Sequence, residues 1–155
     1  MTMFSIFKKK PQDFFSQKEK DQITEAIKMA EKQTSGEIRV FIENKCASAN
    51  VLDHAKGLFS HLKMEATQER NGVLVYVAVK DRKLAVYGDK GIHEKLGDIF
   101  WDDAVRNMLS HFTSDNYAKG IEDVIMSVGY ALAQHFPYNA DTDTNELSDE
   151  IVFGK

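Results

Sequence analysis

The sequence predicts an α/β fold: a small mixed sheet of three or four strands with helices on both faces. Three observations carry this. Val73 to Val79 is an unbroken apolar run, opened by the turn pair Asn71-Gly72, and reads as a strand buried on both faces. Leu84 to Tyr87 returns after the charged turn Lys80 to Lys83, which makes a β-hairpin. Glu37 to Glu43 alternates Ile38, Val40 and Ile42 with Glu37, Arg39 and Phe41, and a helical stretch separates it from the buried strand. Strand, helix, strand is a crossover unit, so those two strands should be parallel and the crossover right-handed.

The remaining elements follow in order. Residues 1 to 12 read as a flexible arm, with Phe4, Ile6 and Phe7 ahead of three lysines. Ser16-Gln17-Lys18-Glu19 is a capping box, in which the serine oxygen and the glutamate each satisfy a first-turn amide. The helix it opens runs from Gln17 to Gln33, with Ile23, Ala26, Ile27 and Ala30 on one face and Gly36 placed to stop it. After the polar loop Asn44 to Asn50, the crossover helix is expected over Val51 to Glu69, its core face being Val51, Ala55, Leu58, Phe59, Leu62 and Ala66. The hairpin leaves through Gly88-Asp89-Lys90-Gly91 into a short helical turn at Ile92 to Leu96. Asp98 caps a helix from Ile99 to His111, and a last helix runs from Asn116 to Phe136, ended by Pro137. From residue 139 acids dominate, and 139–155 reads as a disordered acidic tail, leaving a single domain at 13–138.

Composition narrows the function classes. A chain of 155 residues buries roughly 70% of its unfolded surface, enough for a self-sufficient core. With 20 basic against 24 acidic residues, the net charge of -4 makes no electrostatic case for nucleic acid. No stretch approaches the ~20 apolar residues of a membrane helix, so stable membrane insertion is not expected. The start MTMFSIFKKK has its apolar residues before its lysines, the reverse of a secretory signal. The single cysteine, Cys46, excludes an internal disulfide. A cytoplasmic monomer is the expectation.

Topology then points to a site. The starts of the two parallel strands and the end of the hairpin share one edge of the sheet. That edge collects Gly36-Glu37, Asn71-Gly72 and Gly88 to Gly91, and the following segment adds Asp98, Asp102 and Asp103. Asp98 and Asp102 are four apart and share a helix face. Ca²⁺ or Mg²⁺ takes several oxygen ligands, and glycine turns expose carbonyls. The expected ligand set is Asp89, Asp102, Asp103, Asp98, Glu37 and Asn71, set against the plainer reading that the glycines serve tight turns and the acids cap helices. The opposite edge, with Glu43, Asn44, Asp53, Asp81 and Asp115, competes because ligands in open α/β sheets usually sit beyond the carboxyl ends of parallel strands. Cys46 has no histidine near it in sequence to act as a base. His54, His61 and Glu65 border the apolar stripe of the crossover helix. Asp141, Asp143 and Asn145 start like a calcium loop, but the required glycine is missing.

The ordered set Thr34-Ser35-Gly36-Glu37-Ile38-Arg39-Val40, Asn71-Gly72-Val73-Leu74-Val75, Val86-Tyr87-Gly88-Asp89-Lys90-Gly91-Ile92 and Phe112 to Ile121 resembles the TPM-domain family over residues 16 to 136. That family includes a thylakoid lumen phosphatase-like protein. The resemblance implies a Rossmann-like α/β/α sandwich, divalent-cation binding and, for some members, acid phosphatase activity. Its glycine-rich segment falls on the same sheet edge, with Asp89 as the residue carried over. Signal peptide and membrane anchor, common in the family, are not seen here, which suggests a soluble branch.

Two readings follow. The first is a Ca²⁺- or Mg²⁺-binding module with a regulatory or interaction role. The second is a metal-assisted phosphatase acting on phosphomonoesters, with Asp102 as general base and Lys90 and Lys95 near the phosphate. A further alternative is a partner-binding domain that recruits another protein through its lysine arm and acidic tail.

Overall fold

The computed structural model describes residues 10–139 and 150–155. Its sheet holds β1 (Glu37–Glu43), β2 (Gly72–Ala78), β3 (Lys83–Gly88) and β4 (Val152–Phe153), in the order β3-β2-β1-β4. β1 and β2 are parallel, with Glu37 opposite Gly72. β2 and β3 are antiparallel, with Val73 opposite Gly88. Every residue of β2 is buried, as its continuous apolar run requires.

Among the described residues, four α-helices enclose the sheet: α1 (Gln17–Glu31), α2 (Val51–His61), α3 (Lys90–Thr113) and α4 (Tyr117–His135). Strand alternation decides which helix meets which face. Ile38, Val40, Ile42, Val73, Val75 and Val77 pack with α1, α3 and α4. Phe41, Leu74, Tyr76 and Ala85 pack with Ala55 and Phe59 of α2. The result is the α/β/α sandwich that the sequence and the resemblance predict.

The capping box at Ser16 forms as expected: Ser16 N–H donates to Glu19 Oε1 at 2.9 Å, and Glu19 N–H donates to Ser16 Oγ at 3.1 Å. α3 breaks at Gly97 (φ 76, ψ 173), the boundary expected between the helical turn and the helix that follows. The positive φ there is one that glycine adopts without a Cβ penalty.

Three expectations need correction. The crossover helix does not reach Glu69. It ends at His61; Lys63 turns left-handed (φ 59), and a short 3-10 turn, Met64–Ala66, drives Met64 into the core while Ala66 is exposed. The arm assigned to 1–12 stops short of Pro11, which is buried in a 3-10 turn, Pro11–Phe14; residues 1–9 lie outside the described residues. The tail assigned as disordered over 139–155 ends in β4, parallel to β1, with Phe41 opposite Val152 and Ile42 opposite Phe153. Asp141, Asp143 and Asn145 lie outside the described residues.

Candidate functional site

The edge singled out by topology exists. Register places Glu37 beside Gly72 and Val73 beside Gly88, so the starts of β1 and β2 meet the end of β3. Two backbone bonds tie the glycine-rich exit to the β2 approach: Asp89 N–H donates to Gly72 C=O and Gly91 N–H to Arg70 C=O, both at 2.9 Å. The glycines here serve close approach. A Cβ on Gly88 would stand 2.4 Å from Trp101 Cζ2, and one on Gly91 would stand 2.2 Å from the Glu69 carbonyl oxygen.

Over this edge opens a cleft of about 540 Å³, between the β3 exit and the kinked α3. Asp89, Asp98 and Asp102 line it, together with Arg70, Lys90, His93 and Trp101. Asp89 is only 3% exposed. Its carboxylate accepts Arg70 Nε at 2.7 Å and Nη2 at 2.9 Å, and also the Lys90 backbone N–H at 2.8 Å, which caps α3. The Asp89 carboxylate holds the Arg70 guanidinium pKa above its ordinary value. Asp98 is exposed and lies 3.3 Å from His93 Nε2. His93 in turn stacks over Trp101, the ring planes 11° apart.

The other expected ligands lie elsewhere. Asp103 pairs with Arg106 at 2.9 Å and borders a separate depression with Phe100, Asn107 and Val124. Glu37 and Asn71 are buried at the strand starts, outside the cleft lining. Asn71 Nδ2 donates to Ser35 Oγ at 3.3 Å and to Glu69 Oε2 at 3.4 Å, while its Oδ1 is buried without a hydrogen-bond partner. Among the described residues, no three His, Cys, Asp or Glu side chains gather closely enough to hold a metal ion. Two exposed carboxylates, Asp98 and Asp102, suit a hydrated cation such as Mg²⁺, which keeps most of its waters and takes one or two protein carboxylates. They do not suit a closed, dehydrated site.

The opposite edge holds a cluster that the sequence reading missed. Tyr76, fully buried in β2, donates its hydroxyl to Glu43 Oε2, and His54 Nε2 lies 2.8 Å from the same oxygen. Burial first, then the bonds to Glu43 and the Cys46 thiol, push the Tyr76 phenol well above its ordinary pKa. Asp81 accepts the Cys46 backbone N–H at 2.8 Å. Asp53 is an exposed first-turn residue of α2, and Asp115 forms a loose exposed pair with Arg82 at 3.9 Å. His54 therefore serves Glu43 rather than a site with His61 and Glu65; His61 is the exposed last residue of α2, and Glu65 lies beyond the helix in the 3-10 turn Met64–Ala66. A signal for this cluster was present: a tyrosine inside a buried apolar strand needs a partner for its hydroxyl.

No helix among the described residues is long and apolar enough to cross a membrane. The TPM-domain family model matches residues 9–131. The BA42 protein of the psychrophilic bacterium Bizionia argentinensis is similar over 90% of this chain and 94% of its own, with 42% identity and a TM-score of 0.82. The N-terminal domain of a protein from P. gingivalis shares the fold at 19% identity, over 81% of this chain and 83% of its own (TM-score 0.65). So does the N-terminal domain of the cg2496 protein of Corynebacterium glutamicum, at 14% identity, over 76% and 74% (TM-score 0.61). No curated protein matches the chain. The family match and the BA42 likeness, each spanning most of the sequence, lead to one conclusion: the chain belongs to the TPM-domain family.

Proposed function

We propose that this chain is a divalent-cation-binding TPM module, for Ca²⁺ or Mg²⁺, with a regulatory or interaction role. The observation that carries the reading is the convergence of Asp98 and Asp102 on the Asp89 cleft. Asp98 and Asp102 are its ligands, binding a largely hydrated ion. Asp89 acts by position, since its carboxylate is committed to Arg70 and the Lys90 amide. Glu37 and Asn71 support the strand starts behind it. Asp103 takes no part.

A specific observation also favours the second reading, a metal-assisted acid phosphatase acting on phosphomonoesters. Arg70 and Lys90 line the same cleft and supply positive groups that a phosphate needs, and His93 adds a ring nitrogen for hydrogen bonding. A bound cation would add Lewis-acid polarisation of the phosphoryl oxygens. Asp102 would act as the general base. No nucleophile–base pair is evident in the cleft, so binding is preferred to turnover.

The test is a Ca²⁺ and Mg²⁺ titration of the full chain followed by amide chemical shifts. Shifts over residues 88–102 that vanish in an Asp98→Asn, Asp102→Asn double variant support the reading. Shifts confined to 141–150, or centred on Glu43, Asp81 and Asp115, overturn it. Turnover of p-nitrophenyl phosphate that survives purification and is lost in Asp102→Asn would favour the phosphatase.

A further inference from the structure

The outer edge of β1 is closed by unusual means. Glu37 N–H and Glu43 C=O are bonded toward β2, so the even-numbered residues turn their backbone groups outward. Ile38 N–H donates to the Glu31 carboxylate at 2.8 Å, a side chain that blunts the first half of the edge. The second half is edged by residues 150–155. Gly154 N–H donates to Ile42 C=O, and Asn44 N–H donates to Lys155 C=O, both at 2.8 Å.

This segment is seated by its side chains as well as its backbone. Ile151 and Phe153 pack on the core under α1, α3 and α4, while Val152 packs on the core under α2. Gly154 fits where other residues would not: a Cβ there would stand 2.9 Å from Phe41 Cζ and 3.1 Å from Glu43 Cβ. The edge thus selects a sequence, an alternating apolar pair of faces followed by glycine. Yet the strand has only the register pairs at Val152 and Phe153, and both side chains remain half-buried. It is the least secured strand of the sheet, so its release costs far less than unfolding. The residues joining it to the body, 140–149, carry Asp141, Asp143, Glu146 and Asp149 and are a poor strand-forming sequence.

We propose that the outer edge of β1 from Val40 to Asn44 is a strand-docking site for an extended apolar-Phe-Gly peptide of a partner protein, held closed in cis by residues 150–155 as a displaceable stand-in. Strand addition draws affinity from main-chain hydrogen bonds and specificity from alternate side chains, and both kinds of contact are present at this edge. Tethering gives the cis segment a high effective concentration, so the partner docks only when its own contacts exceed those of the stand-in. The site lies at the end of the sheet opposite the Asp89 cleft and does not depend on the cation reading.

The experiment uses the full chain and a synthetic peptide of residues 150–155. Gly154→Val should release β4, read as loss of amide protection at Val152 and Phe153 with the core amides still protected. Phe153→Asp serves where Gly154→Val leaves the strand seated. The peptide should then shift the Ile42 and Asn44 amides of the released variant with affinity at least about tenfold above that for the unaltered chain. A peptide with valine in place of its glycine should not bind. If the strand is released, the core is intact and the peptide leaves Ile42 and Asn44 unmoved, the proposal fails. Equal binding to the released and unaltered chains also overturns it. So does a dimer in which one copy's segment edges the other's β1 and added peptide does not compete.

Discussion

Arg70 grips Asp89 through two hydrogen bonds, Nε to Oδ2 at 2.7 Å and Nη2 to Oδ1 at 2.9 Å. The pair joins Arg70, two residues before β2, to the N-cap of α3, and the backbone bond from Gly91 to Arg70 runs beside it. Burial is unequal: the Arg70 side chain is 41% exposed and that of Asp89 4%. Removing one partner therefore differs from removing the other. In Asp89→Ala the guanidinium turns to water, and the loss is the helix cap and its bonds, about 1–2 kcal/mol. In Arg70→Ala a buried carboxylate is left without its countercharge, which is the more costly outcome. Urea unfolding of the two variants should rank Arg70→Ala as the less stable. The reverse order would mean that capping, not charge pairing, governs this corner.

The glycines around the site separate by what surrounds them. Gly91→Ala forces a methyl to 2.2 Å from a backbone oxygen that no side-chain motion can clear. We expect a loss of about 2–3 kcal/mol or failure to fold. Gly57, inside α2, has nothing within 4 Å of an added Cβ. Gly57→Ala should stabilise by about 0.5–1 kcal/mol through helix propensity and a less flexible unfolded chain. Thermal midpoints of both variants check the contrast.

What the sequence made legible was whatever periodicity and turn chemistry encode. The β2 run, the alternation in β1, the hairpin and the capping box at Ser16 are local patterns, and each appears where expected. Parallel pairing follows from the crossover, and it brings Gly36, Asn71 and Gly88 to one edge. The rest depends on distance along the chain. Arg70 reaches Asp89 across nineteen residues, and no spacing rule links them. β4 has too few residues to show alternation, and it follows an acid-rich stretch. The end of α2 carries neither glycine nor proline, because Lys63 makes the left-handed turn itself. Among the acids, Asp98 and Asp102, four apart, line one cleft, whereas the adjacent Asp103 is carried by the helical turn to a separate depression.

Alkaline pH should act on the Tyr76 cluster. The folded protein holds the phenol protonated to a pH well above its ordinary value, by burial and by the bond to Glu43. The unfolded chain releases that proton near pH 10. Above about pH 10 the unfolded state therefore binds fewer protons than the folded state, and stability falls as pH rises, by at most ~1.4 kcal/mol per pH unit for this group. Below that pH the contribution is fully present. Tyr76→Phe removes the titrating group, so its stability should decline less between pH 9 and pH 11. At neutral pH the variant should lose about 1–2 kcal/mol, since Glu43 gives up a buried donor. Urea unfolding across that pH range, variant against unaltered chain, isolates Tyr76 from the other tyrosines. Parallel curves would show that another group governs alkaline unfolding.

Asp102 and Asp103 are neighbours in sequence and separated in space, which gives the cation reading its sharpest control. Asp102 lines the cleft with Asp98, whereas Asp103 is paired with Arg106 on another surface of α3. Both are exposed, so neither substitution by asparagine should change stability by more than about 0.5 kcal/mol. Both remove the same charge, so any long-range electrostatic effect on a divalent ion is similar and is screened beyond about 8 Å at physiological salt. Direct ligation is what distinguishes them. Asp102→Asn should weaken Mg²⁺ or Ca²⁺ binding at least about tenfold, the loss of one carboxylate from a site that has two. Asp103→Asn should leave it within about twofold, consistent with a screened surface charge. Calorimetric titration of the two variants decides the matter: equal weakening would mean that the ion senses the general negative field of α3, and the cleft would lose its claim to be the site.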